Sequence, residues 1–154
     1  MPTKSTPKKR RPRSSPAQRV TVQHAAGAAP ATALLRKYAH AAIRPGAQVT
    51  LRIVGIAEGR LLNRRFRKHD QATNVLSFAY QHRPLEGDVV LCHPVIASEA
   101  KKQGKRLAAH YAHLVVHGIL HLRGHDHVRR QDAARMERAE IRILRRLGFA
   151  NPYE

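Results

Sequence analysis

Four of the eleven residues from His117 to His127 are histidine, at positions 117, 121, 125 and 127. Such a density points to metal binding. His117 and His121 are four apart, so on a helix they share one face with Cβ atoms ~5–6 Å apart, close enough for both imidazoles to reach one ion. Gly124 can adopt the left-handed conformation that ends a helix, and the chain can then turn back to bring His127 to the same ion. Three imidazole nitrogens leave one tetrahedral position open to water, whose pKa zinc lowers towards ~7. The spacing therefore predicts one zinc ion held by His117, His121 and His127 in a catalytic setting. The ordinary alternative is a set of core or surface histidines with unremarkable hydrogen bonds. His110 and His113 extend the stripe towards the helix N-terminus and are expected to pack or hydrogen-bond behind the ligands, because further imidazoles would close the site. His125 and Asp126 fall in the exit turn, where they are candidates to orient a ligand or touch substrate.

The spacing H-x3-H-x2-G-x2-H is also the zinc frame of the metzincin proteases, whose motif places Glu directly after the first histidine. Here that position is Gly118. Without this carboxylate the site lacks the general base that zincins use against a peptide, so the frame is shared while the peptide chemistry is not supported.

Charge indicates the partner. The chain carries 29 Lys and Arg against 10 Asp and Glu, a net +19. Seven of the basic groups lie in the first nineteen residues, and removing them leaves 22 against 10, still +12. Such an excess favours a polyanion, nucleic acid or an anionic surface. Arg60, Arg64, Arg65, Arg67 and Lys68 form a basic cluster, and a guanidinium suits bidentate binding of phosphate oxygens. A solvated charge run is the plain alternative. No run approaches the ~18–20 apolar residues that span a bilayer, and no apolar segment follows the N-terminal charges, so a soluble, non-secreted, cytoplasmic protein is expected. The single Cys92 cannot form an internal disulfide and is expected to be a buried strand residue.

These groups must be positioned by a mixture of helix and sheet. Residues 1–17 are rich in Lys, Arg, Pro, Ser and Thr with almost nothing apolar, which predicts a disordered basic arm. Residues 18–154 are expected to form one domain of 42% hydrophobic overall composition. Val20 and Val22 alternate with polar residues, as do Val49, Leu51 and Ile53, giving two strands. Val75–Phe78 and Val89–Cys92 give two more, with a hairpin loop containing Pro84 and Gly87 between them. Helical spacing runs through Leu34, Leu35, Tyr38, Ala41 and Ala42, stopped by Pro45-Gly46, and a short helix covers Ile56 to Phe66. A helix from Pro94 to Lys102 precedes the long apolar segment Leu107–Leu122, read as a central buried helix. Ala133, Met136, Ala139, Ile143, Leu144 and Leu147 give a last amphipathic helix. The predicted fold is α+β, a small mixed sheet of about four strands packed with helices, with a zincin-like His motif on the central helix.

Two long motifs carry a family resemblance. The block His117-Gly118-x-Leu120-His121-Leu122-x-Gly124-x-Asp126-His127, and the block Leu62-Asn63-x-x-Phe66-Arg67-x-x-Asp70-x-x-Thr73-Asn74-Val75-Leu76-Ser77-Phe78, resemble the two signatures of the YbeY endoribonucleases, bacterial rRNA maturation factors. Gly87-Asp88-Val89 and the ending Leu147-Gly148-Phe149 fit as well, and the likeness runs from Val20 to Tyr153. The resemblance implies one zinc ion at His117, His121 and His127, cleavage of single-stranded RNA, maturation of the 16S rRNA 3′ end and late-stage ribosome quality control. It also implies ribosomal particles as partners, with ribosomal proteins and a ribosome-assembly GTPase, and it matches Arg67 to an arginine that handles RNA. Departures are His125, where Tyr is usual, Ala79, where Pro commonly follows the Ser-Phe pair, and the basic arm. His125 puts in doubt any role assigned to that Tyr.

The combined expectation is a metal-dependent endoribonuclease in which Arg67 and His117 are catalytic, Arg67 binding an adjacent phosphate, while water or the RNA 2′-hydroxyl attacks phosphorus. A 2′,3′-cyclic phosphate product would mark the internal nucleophile. Asn74 and Ser77 either bond substrate or finish a strand, and Thr73 is a candidate cap at its entry. The rivals are a non-catalytic ribosome-assembly factor with a structural zinc and, behind it, a metalloprotease.

Overall fold

A computed structural model of the chain describes residues 19–25, 28–67, 73–125 and 129–154. The expected basic arm, Lys68, Asp70, Asp126 and the third expected ligand, His127, lie outside the described residues. In chain order the elements are β1 (Arg19–His24), α1 (Thr32–Ala42), β2 (Gln48–Val54), α2 (Ile56–Arg67), β3 (Val75–His82), β4 (Leu85–Cys92), α3 (His93–Lys102), α4 (Leu107–Leu122) and α5 (Arg130–Arg146). The strands form one mixed sheet in the order β1-β2-β4-β3, with β1 and β4 parallel to β2 and β3 antiparallel to β4 at the edge. This is the α+β architecture expected from the alternating hydrophobic periods.

Strand alternation divides the apolar residues between two faces. Val49, Leu51, Ile53, Val89 and Leu91 point into the main core shared with α1, α4 and α5. Val54, Leu76, Val90 and Cys92 form a smaller cluster on the other face, under Leu62 of α2. Cys92 is buried at the end of β4, as expected.

The hairpin differs from expectation. Its turn is only Arg83-Pro84, and Gly87 lies inside β4. Gly and Pro close together read as turn chemistry, but the ladder continues because the register shifts between Ala79 and Gln81, a bulge opposite the Gly87 region. A Cβ at Gly87 would come within 2.7 Å of the Phe78 carbonyl oxygen and 2.9 Å of Leu122 Cδ2. The glycine is therefore required by the close approach of β4 to β3 and α4.

α4 is buried on nearly all sides, touching α1, α3, α5, β3 and β4, which is why its sequence is apolar almost throughout. His113, His117 and His121, spaced by four, are half-buried and form the stripe along which the core opens. At the helix end Gly124 has φ +93°, and the His125 N–H donates to the Leu120 carbonyl at 2.9 Å. This is the left-handed stop that the glycine predicted.

Candidate active site

The stripe of α4 opens into a cleft of about 660 Å³ between α4, β3 and the end of α2, lined by Arg67, Thr73, Asn74, Ser77, His117 and His121 among others. Two of the three expected zinc ligands and the expected phosphate-binding arginine thus share one opening. The His117 and His121 rings lie 4.7 Å apart between centroids and cross at 77°. His125 departs from this group and lines a separate hollow beyond the helix end.

Arg67 is the last residue of α2, and its exposed side chain reaches over the edge strand. Its Nη2 donates to the Ser77 carbonyl at 2.8 Å, and its guanidinium carbon stands 5.7 Å from the centre of the Phe78 ring. Phe66 closes edge-on against Phe78 at 5.3 Å. One N–H of the guanidinium's five is used in this anchor, so most of the fork remains suited to phosphate oxygens.

Ser77 links the two halves of the cleft. While its carbonyl accepts from Arg67, its hydroxyl donates to the Gly118 carbonyl on α4 at 2.9 Å. Gly118 is pressed onto the sheet, where a Cβ would meet Val89 Cγ1 at 2.7 Å. A Glu at this position would clash with the sheet rather than reach the cleft, a steric reason for the missing zincin base. Asn74 is likewise engaged by protein, its Nδ2 donating to Glu99 Oε2 at 3.2 Å and its carbonyl accepting the Cys92 N–H.

The residue that sequence reasoning missed is Glu140. It lies on the buried stripe of α5 between Met136 and Ile143, fully excluded from solvent. Its carboxylate accepts from His117 Nδ1 at 2.6 Å and from His113 Nε2 at 2.8 Å, and the Tyr153 hydroxyl donates to it as well. Burial alone would raise its pKa, but the hydrogen bonds from His113, His117 and Tyr153 and the nearby charge of His117 reverse this and hold it at about 2. A lone acid on an apolar helical face was the available signal, since an unpaired carboxylate is almost never fully buried. Through this bond Glu140 holds His117 by Nδ1, so Nε2 is the ring atom that would ligate a metal, a carboxylate–histidine arrangement found behind metal-ligating histidines. His110 parts from the stripe. It is buried and meets Glu99 at 3.1 Å, while burial holds its pKa below the usual histidine value.

His113, His117 and Glu140 offer ligand atoms within 4.8 Å of one another, so this group is itself capable of holding a metal ion. No helix among the described residues is long and apolar enough to cross a membrane.

A mixed four-stranded sheet with a histidine stripe opening beside an arginine at the end of α2 defines an α+β protein with a basic, metal-capable cleft. The family profile described as Endoribonuclease YbeY matches residues 16–148. A protein named Endoribonuclease YbeY from Aromatoleum aromaticum is 54% identical over 140 residues, covering 87% of this chain and 91% of the relative. Another of that name from Nitrosomonas europaea is 49% identical over 160 residues, covering 99% and 98%. The solution structure of a Thermotoga maritima protein superposes with a TM-score of 0.55 at 22% identity over 88% of this chain and 99% of that one, a likeness of fold. The chain belongs to the YbeY endoribonuclease family and is an endoribonuclease.

Proposed function

We propose that the chain cuts single-stranded RNA at one zinc ion held by His117, His121 and His127, with Arg67 binding the neighbouring phosphate. Arg67 and His117 are then the catalytic residues. Its substrate in the cell is the 3′ end of the 16S rRNA precursor on ribosomal particles in the cytoplasm, with ribosomal proteins and an assembly GTPase nearby, and late ribosome quality control draws on the same cleavage. Residues 18–154 act as the single catalytic domain.

The observation that carries this reading is the linkage through Ser77. Arg67 is bonded to the Ser77 carbonyl and the Ser77 hydroxyl to Gly118, the residue after His117, so the phosphate-binding group and the first histidine are held in fixed relation. Donors on a tetrahedral zinc sit about 3.3 Å apart, given bonds of ~2.0–2.1 Å. The 2.6 and 2.8 Å contacts from Glu140 to His117 and His113 are shorter and are hydrogen bonds. Glu140 therefore reads as the group that orients His117, while the His117–His121 side of the stripe faces the cleft with Arg67. When bound, zinc would supply Lewis acidity, lowering the pKa of a water and offsetting charge on the phosphoryl oxygens.

The test is bound-metal analysis together with cleavage of single-stranded RNA, with and without chelator. His117→Ala, His121→Ala and His127→Ala should each lose zinc and activity together, while His110→Ala and His113→Ala keep most of the metal. Equal zinc loss at all five positions would overturn the ligand assignment. Binding to small-subunit particles without RNA cleavage at saturating zinc would favour the assembly-factor reading.

A further inference from the structure

Beside the cleft lies a second opening of about 510 Å³ whose charged lining is entirely basic. Arg44 comes from the turn after α1, His82 and Arg83 from the β3–β4 hairpin, and Arg123 and His125 from the end of α4. Among the described residues no carboxylate pairs with Arg44, Arg83 or Arg123. Arg123 is half-buried, its Nη1 donating to the Ala42 carbonyl at 3.0 Å, so its guanidinium is fixed in place. Burial and the like charges of Arg44 and Arg142 disfavour its charged form. Among the described residues one acid, Asp132, lines an adjoining opening with Arg123 and His125 and forms no ion pair with the three arginines. An anion seated among the guanidinium groups would offset the repulsion between Arg44 and Arg123.

The hollow and the histidine cleft are neighbours. Leu122 lines the cleft and Arg123 the hollow, and on β3 Ala79 lines the cleft and His82 the hollow. Three strand residues span roughly 10 Å, a distance within reach of one RNA strand.

We propose that the hollow formed by Arg44, Arg83 and Arg123 is a second phosphate-binding subsite for the RNA strand that passes through the histidine cleft. The proposal rests on the reading of this chain as an enzyme acting on single-stranded RNA. The hollow grips the backbone away from the point of cleavage, so it adds affinity for longer strands without reading base sequence. A dinucleotide, with one phosphodiester, cannot occupy both openings.

The experiment measures binding of a 2′-O-methyl dodecanucleotide and a dinucleotide to the zinc-loaded protein, wild type against Arg44→Gln and Arg83→Gln. Neither variant disturbs the Arg123 anchor. Each should lower the ratio of dodecanucleotide to dinucleotide affinity roughly tenfold and reduce the salt slope of long-strand binding by about 0.7. Arg145→Gln, at a separate opening on α5, serves as the control and should change that ratio little. An equal fall in Arg145→Gln would overturn the subsite in favour of the general positive field of the protein. Loss of poly-glutamate binding with RNA binding intact would overturn it in favour of an acidic protein partner. Cleavage of unmodified RNA by the wild type is scored separately. Cleavage with no effect of the Arg44 and Arg83 variants sinks the subsite alone, and hollow-dependent binding without cleavage sinks the enzymatic reading alone.

Discussion

Replacing Glu140 by Gln keeps the shape of the side chain and removes its charge. A carboxyl held at about 2 rather than its usual 4.5 corresponds to about 3 kcal/mol of stability at neutral pH. Gln retains one acceptor oxygen for His117 but turns an amide NH2 towards His113 and Tyr153, whose groups donate to the carboxylate in the native protein. The expected net loss is about 2–3 kcal/mol, or a fall in Tm of roughly 5–10 °C for a chain of this size. The measurement is thermal unfolding of both proteins stripped of metal, repeated across pH. The folded-state pKa lies below the unfolded one, so the wild-type contribution is present in full above about pH 4.5 and is lost as pH falls towards 2. The two melting curves should therefore converge in acid. Zinc affinity, measured by chelator competition, should drop about ten- to a hundredfold, the usual effect of removing a group that orients a ligating histidine. Equal melting temperatures of the two apo proteins at neutral pH would refute the reasoning. Complete loss of metal in Glu140→Gln, with His121→Ala still loaded, would move the ion to the His113–His117–Glu140 group.

Arg67→Ala should leave metal content near wild type and lower Tm only slightly, since it removes one bond to an exposed edge strand, yet RNA cleavage should fall sharply. Arg67→Lys should restore binding more than rate, and an Arg67→Ala enzyme as active as Arg64→Ala would remove Arg67 from the site. Gly118→Ala should destabilise by about 1–2 kcal/mol in denaturant titration despite alanine's better helix propensity, because the added methyl meets Val89 at 2.7 Å; a neutral or stabilising effect would contradict the close helix–sheet approach. Deleting residues 1–15, which carry six basic groups, should leave zinc binding intact and weaken RNA binding most at low salt, whereas an unchanged salt slope would show that this segment does not touch RNA.

The alternation of Val49, Leu51 and Ile53 specified a strand buried on one face, and the long apolar segment of residues 107–122, interrupted only by its histidines and Gly118, specified a core helix, because both patterns repeat within a few residues. The same local geometry made His117 and His121 legible as a pair, and Gly124 as the stop that follows them. The positive charge of the chain and the basic cluster around Arg67 pointed to a polyanion in the same way. Tertiary structure decided what depends on residues far apart in the chain. Glu140 reaches His117 across 23 residues, and Ser77 joins Arg67 to the Gly118 carbonyl 41 residues away. Gly87 read as turn chemistry because its reason for being glycine, the Phe78 carbonyl and the Leu122 side chain, belongs to other elements. Neither the hollow of Arg44, Arg83 and Arg123 nor the separation of His125 from the cleft has a local signature, since three distant turns must meet before those charges become neighbours. Short-range periodicity encodes which face of an element is buried, but not which buried or charged groups end up facing one another.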